Sequence, residues 1–457
     1  MESRHGARRR GVLFRHELRA LLIVALPIVV SQLGHVGMNT ADTIMVGPLG
    51  AEALAAVGIG SALHIFTLML FTGTILGMTP LVSQAFGSGD GEACRRILVQ
   101  ALWLSAVLSA PLVVLTLEGE AIARFLGQRP ETVVLAGEYM TALAWGVPSV
   151  LFFMALRQFL EGMGATTPAM VVTFVGLVVN IPLNAALMYG VEGWIAPLGI
   201  VGTGHATSVA RWAMLGTLLA YLALHPRYRI LRGMRWRPEG ALLRRIVSIG
   251  APIGGQLSME VGLFSFAAVM VGWFGPVELA AHQVTINIAS LTFMVALGVS
   301  LAGSIRVGLH IGGRSPRAIR RSVGATYLVS VGFMALCAVA FVLFSRELVG
   351  LYTSDPAIQR IGVSLLAVAA FFQVADGAQV AGLCSLRGAA DTRVPLWIAM
   401  LGYWGIGVPV AYLLGFHARL GPVGVWVGLC IALGVVAILL GWRVRRVLWP
   451  RGSLARR

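Results

Sequence analysis

The chain has 457 residues, of which 57% are hydrophobic and 12% charged, and a formal net charge of +16. A mean hydropathy of +0.83 leaves too little polar surface for a water-soluble globule, which places the chain in a bilayer. All 35 basic residues are arginines that recur at alternate loops, a pattern that argues for anionic lipid headgroups and against nucleic acid as their partner.

Segment 1–19 is arginine-rich and runs straight into an apolar stretch that holds an aspartate. It lacks the short core and Ala-x-Ala site of a cleaved signal peptide. Charge-poor stretches long enough for helices of about 20 residues then predict twelve spans. They fall at 20–47, 53–83, 97–117, 133–157, 168–190, 198–224, 243–273, 278–306, 320–345, 358–386, 394–416 and 420–442. Twenty-nine arginines lie in the two termini and the loops after even-numbered spans, five lie in the other loops, and Arg211 alone is read as lying within a span. Positive charge stays inside during insertion, so both ends are expected in the cytoplasm of a bacterial inner membrane.

Residues 27–87 recur at 252–312 without a gap, with 17 identities in 61 pairs that include Pro27/Pro252 and Gly50/Gly275. This is the signature of an internal duplication. The expected organisation is an N-lobe at 20–224, a cytoplasmic linker at 225–242, a C-lobe at 243–442 and a tail at 443–457. Six spans per half give the copies the same orientation. The fold class is therefore all-α and integral to the membrane, two parallel six-helix bundles related by a pseudo-twofold axis along the membrane normal, with a substrate cleft between them.

Three acids interrupt the apolar pattern: Asp42 in span one, Glu260 in span seven and Asp376 in span ten. Each central charge costs about 2.5–3.5 kcal/mol on insertion scales, and one arginine cannot neutralise all three. Low dielectric disfavours an ionised carboxylate, which suits groups that load and release a proton or a cation. Asn180 and Asn184 share a helix face, and Pro182 between them cannot bond to the Val178 carbonyl. With Asp42 they offer oxygens for Na⁺ or a proton; a proline kink stabilised by asparagine is the alternative. Gln283, Asn287 and Ser290 share a face of span eight, where they either line the cleft or bond between helices. Cys94, Cys337, Cys384 and Cys430 are scattered singly, so neither a metal centre nor a disulfide framework is expected, and no cofactor.

The ordered set Ala41-Asp42-Thr-Ile-Met-Val-Gly47, Pro80-Leu-Val-Ser-Gln-Ala-Phe-Gly87, Glu161-Gly162, Asn180-Ile-Pro-Leu-Asn184, Glu260, Ala281-His-Gln283, Arg306-Val-Gly308 and Ser385-Leu-Arg-Gly388 resembles the multidrug and toxic compound extrusion family, in its NorM-type branch. The resemblance covers nearly the whole chain. It implies a non-enzymatic antiporter that exchanges inward Na⁺ or H⁺ for organic, often cationic, drugs. By the same resemblance Asp42, Asn180 and Asn184, with Thr207 as a weaker match, belong to an N-lobe cation site, and Glu260 and Asp376 are the C-lobe acids; Arg211 has no assigned role. The expected partners are small organic cations and membrane lipids, with the monomer as the working unit. A flippase for lipid-linked saccharides would need basic cavity residues, and a membrane enzyme would need a His-Glu-x-x-His or nucleophile-elbow motif that is absent here.

Overall fold

The computed structural model describes residues 2–125, 127–225 and 236–449, so much of the expected linker (226–235) and tail (450–457) lies outside the described residues. Among those described, the regular structure is helical, and loops join the helices with one isolated bridge between Val191 and Ile195. In order, the helices are α1 (Glu2–Val46), α2 (Ala51–Leu76), α3 (Met78–Gly87), α4 (Gly91–Leu117), α5 (Gly119–Phe125), α6 (Pro130–Ala144), α7 (Val147–Gly162), α8 (Thr167–Tyr189) and α9 (Ile200–Leu224). They continue as α10 (Gly240–Gly272), α11 (Pro276–Gly312), α12 (Pro316–Leu343), α13 (Ser345–Gly350), α14 (Pro356–Gly388), α15 (Arg393–Ala399), α16 (Val408–Tyr412) and α17 (Gly421–Leu448).

Among the described residues, eleven segments are long and apolar enough to cross a membrane, and α6 with α7, bent by 49°, makes a twelfth. Each coincides with one of the spans expected from sequence. Two spans are less regular than their apolarity suggests. The fourth breaks at Trp145-Gly146, because Pro148 supplies no backbone donor and Gly146 lets the bend press against Ser208. The eleventh relaxes into π-helical turns at Met400–Gly407 and Leu413–His417, the first closed by the Val408 amide donating to the Tyr403 carbonyl. Pro409, next in the chain, has no such donor to offer. Aspartates set two helix starts: Asp90 accepts from the Ala93 amide at 2.9 Å and Asp355 from the Ala357 amide at 2.8 Å.

The chain divides into two compact units, and the divisions fall inside helices. Val30–Gly254 forms one unit; the segment ending at Val29, with the residues from Gly255 onward, forms the other. The first part of α1 therefore belongs with the C-terminal half, and the first part of α10 with the N-terminal half. Within the Val30–Gly254 unit, Gly73 of α2 and Gly77, which caps its end, meet Gly254 and Gly250 of α10, backbone against backbone. In the other unit, Gly298 of α11 meets the backbone of Val29 in α1. The duplication offset maps Gly73 onto Gly298 and Val29 onto Gly254, so both units use one crossing. Small residues permit it, as close helix contact in lipid requires.

Both crossing segments also carry an ionic clamp. Glu17 is buried and accepts from Arg306 at 2.9 and 2.7 Å and from the Ser322 hydroxyl at 2.6 Å. Glu239, just before α10, accepts from Arg96 Nε at 2.9 Å and donates its amide to Gln100 Oε1 at 2.8 Å. The hydrogen bond from Arg96 holds the Glu239 carboxyl below the usual carboxylate range.

A methyl group at Gly250 would overlap the Thr74 carbonyl, an atom that cannot move cheaply. Gly250→Ala is therefore expected to cost about 1–3 kcal/mol, the usual penalty of overpacking. An added Cβ at Gly216 of α9 meets nothing within 4 Å, so Gly216→Ala should be neutral or stabilising by up to about 1 kcal/mol. Thermal unfolding of the two variants in detergent checks the contrast; equal midpoints would show that the crossing is not tightly packed.

Candidate functional site

In the Val30–Gly254 unit, three helices bring four of the expected residues into one network. α1 supplies Asp42, α8 supplies Asn180 and Asn184 one turn apart, and α9 supplies Thr207. Asn184 Nδ2 donates to Asp42 Oδ1 and, at 3.3 Å, to Asn180 Oδ1. Thr207 Oγ1 donates to Asp42 Oδ2 at 3.5 Å, and Asn180 Nδ2 to Thr207 Oγ1 at 3.5 Å. Both asparagines are fully buried, and Asp42 and Thr207 retain only 8% exposure each. Both carboxylate oxygens thus have donors, as a buried charge requires.

One oxygen is left over. Asn184 Oδ1 is buried without a hydrogen-bond partner in the structure. A buried acceptor without a donor is costly, and this one lies on the side chain that already holds Asp42. A cation, or a proton with its donor, is what such an oxygen accommodates. Arg211 lies one turn beyond Thr207 on α9; its Nη1 is 3.1 Å from His64 Nε2, and its charge acts on Asp42 and on Tyr139. Asp42 is therefore caged by neutral donors with one fixed positive charge nearby.

The acids of the other unit have a different setting. Asp376 of α14 is 3% exposed, while Glu260 of α10 is half-buried. The Glu260 carboxyl acts electrostatically on Asp376, and Arg387 acts on Glu260. Arg387 also donates to Gln256 Oε1 at 3.2 Å, one turn before Glu260, and Gln379 donates to Tyr403 at the π-helical turn. The Glu260 charge thus reaches Asp376, and Arg387 acts on the same acid although the sequence reading did not place an arginine there. Gln283, Asn287 and Ser290 lie on an exposed face of α11. Asn287 Nδ2 donates to the Gln283 carbonyl at 2.8 Å and Ser290 Oγ to the Ile286 carbonyl at 2.6 Å. Both of these bonds run within α11 itself.

Arg211 is not the only arginine buried within a helix, which corrects the reading from sequence. Arg157 lies inside α7, where its Nε donates to Glu161 Oε1 at 2.6 Å; the two side chains are 4% and 3% exposed. Its Nη1 lies 3.2 Å from His35 Nε2. Arg306 and Arg387 are likewise drawn into helices α11 and α14. Counting arginines by loop assigned these three to span ends. The four-residue spacing of Arg157 and Glu161 was the available signal.

Comparison with known proteins agrees with this architecture. The MatE family profile matches twice, at residues 27–186 and 252–413, and its two starts differ by the duplication offset. The chain is 39% identical over 442 residues to a probable multidrug resistance protein NorM of Xanthomonas axonopodis, covering 95% of each chain. It is 36% identical over 445 residues to multidrug resistance protein PmpM of Pseudomonas aeruginosa, covering 96% of this chain and 93% of that one. Its fold matches a transporter of the MOP superfamily from Pyrococcus furiosus at a TM-score of 0.86 and 23% identity, over 96% of this chain and 97% of that one.

Proposed function

The chain belongs to the MatE family, the multidrug and toxic compound extrusion transporters, in its NorM-type branch and not among enzymes, and from that premise we propose that it exports amphipathic organic cations in exchange for inward Na⁺ or H⁺. The observation that carries this reading is the buried Asp42 network, with its unpartnered Asn184 oxygen, inside a membrane helix bundle. Asp42 with Asn180, Asn184 and Thr207 forms the ion site of one lobe, and Glu260 with Asp376 forms that of the other. The exposed polar face of Gln283, Asn287 and Ser290 contributes to the drug path. Acids beside apolar and aromatic walls attract cationic drugs without demanding one geometry.

The proposed mechanism is alternating access of two lobes related by a pseudo-twofold axis, working as a monomer in a bacterial inner membrane with both ends cytoplasmic. Coupling requires that the ion and the drug favour different states. Ion binding from outside favours drug release outside, and drug binding inside favours ion release.

Dye efflux from sealed vesicles under separately imposed sodium and pH gradients tests the exchange. At least one inward gradient should drive efflux; indifference to both would overturn it. The two acid sites also bear on charge movement. Exchanging one monovalent drug for one monovalent ion moves no net charge, whereas loading both sites moves one, worth about 2.3 kcal/mol per 100 mV. If both load, clamping the vesicle potential should change the efflux rate of a monovalent dye, and a voltage-independent rate would restrict exchange to one ion.

A further inference from the structure

The unit that begins again at Gly255 contains a furrow outside the ion sites. Helices α12 and α17 both pack along α14 but touch each other at few points, so a channel runs between them above α14. Two cavities occupy it, of about 790 and 760 Å³. Each falls within the roughly 300–1,000 Å³ range of small-ligand sites.

The two ends differ in chemistry. One is walled by Tyr327 of α12 and by Trp442, Arg445, Arg446 and Trp449 of α17. The other is apolar, with Ala338 and Val342 of α12, Phe371 of α14, and Gly434 and Ile438 of α17 among its walls. From Tyr327 to Ala338 is eleven residues, about 16 Å of helix at 1.5 Å per residue. The furrow is thus polar and basic at one end and greasy along the rest, like a phospholipid.

The basic end is prepared for an anion. Arg446 stands 5.4 Å from the centre of the Trp442 ring, and Arg320 stands 6.0 Å from that of Trp449. Arg443 is engaged by Asp391 at 2.7 Å, whereas Arg445 and Arg446 form no ion pair with a carboxylate among the described residues. The Tyr327 hydroxyl is buried without a hydrogen-bond partner in the structure, and the Arg445 charge acts on it. Phosphate oxygens would accept from both guanidinium groups. Tryptophans beside arginines at the end of a span mark headgroup level. An amphipathic drug cation would be repelled by the same arginines.

We propose that the furrow between α12 and α17 binds an anionic phospholipid, its phosphate held by Arg445 and Arg446 and its acyl chains lying against the apolar stretch. Such a lipid fills the gap between two helices that otherwise share only α14. Lipid retention is read directly, so the site can be tested without a coupled gradient.

Native mass spectrometry of the full-length protein, offered equal amounts of phosphatidylglycerol and phosphatidylcholine, reads the site. The wild type should retain phosphatidylglycerol in clear preference. The Arg445→Gln/Arg446→Gln variant should lose about tenfold or more of that retention, as expected when charge-assisted hydrogen bonds disappear. An added Cβ at Gly434 meets nothing within 4 Å, so Gly434→Leu can fill the apolar end with every charge intact, and it too should lower retention. Equal retention of both lipids, or wild-type retention in Gly434→Leu, would overturn the proposal. So would full displacement of the lipid by inorganic phosphate, which would mark a phosphate site with no call on acyl chains. Gly434→Leu keeps the test decisive if the double arginine variant fails to fold.

Discussion

Asp42→Asn is expected to abolish gradient-driven export while leaving the protein inserted and folded. Asparagine has nearly the shape of aspartate, so it still fits between Asn184 and Thr207 and can still accept at its oxygen. It cannot carry the charge that an exchanged cation neutralises. Its amide would also point donors at Asn184 Nδ2 or at Thr207, both of which donate to Asp42 in the native arrangement. Hydrogen bonds to charged groups contribute about 1.5–3 kcal/mol, so ion affinity should fall on the order of 10- to 100-fold. The measurement is dye efflux from vesicles holding matched amounts of wild-type and variant protein. Wild-type efflux from the variant would remove Asp42 from the mechanism.

Arg157→Leu is expected to be the most destabilising single change. The guanidinium sits against Glu161 at 2.6 Å with both side chains almost completely buried, and it also reaches His35 and, at 3.5 Å, Gln32 of α1. Removing one member of a buried ion pair leaves the other uncompensated, at a cost of about 3–5 kcal/mol. Removing both leaves no orphan charge, and apolar replacement of a buried pair is often close to neutral. Arg157→Leu/Glu161→Leu should therefore recover much of the loss. Thermal unfolding in detergent separates the cases: a double variant no more stable than Arg157→Leu would mean that the arginine acts mainly through α1.

What the sequence made legible follows from which constraints are local. Span length and uncharged runs are set by bilayer thickness, so the twelve crossings could be read without tertiary information. Asn180 and Asn184, four apart around a proline, announced one wall of the Asp42 site because a helix places that spacing on one face. Thr207 gave no such signal: a threonine in an apolar helix more often bonds its own backbone, and only the resemblance singled it out. The pairings of Arg157 with His35 and of Arg306 with Glu17 span more than a hundred residues. Nothing in a linear count of charges distinguishes these buried arginines from the surface ones. The passage of α1 and α10 between units was equally hidden, since a duplication shows that two halves correspond but not which half each segment packs against. Gly250 and Gly254 held the clue, because paired glycines four apart mark close helix contact.

Arg211 sharpens the electrostatic question at the ion site. It keeps a permanent positive charge near Asp42, so any cation bound there shares the carboxylate with a resident counter-charge. Ion and drug then need only modest differential affinity to exclude each other, since 1.4 kcal/mol already changes occupancy tenfold.

Equilibrium competition tests the proposed exchange without vesicles or gradients. Binding of a fluorescent organic cation to the purified protein would be titrated with Na⁺ at fixed pH, then with protons at fixed Na⁺, for the wild type and Asp42→Asn. If the buried carboxylates exchange a small ion for the drug, at least one ion should weaken dye binding to the wild type, and the effect should shrink in the variant. Dye affinity that ignores both ions in the wild type would contradict the exchange.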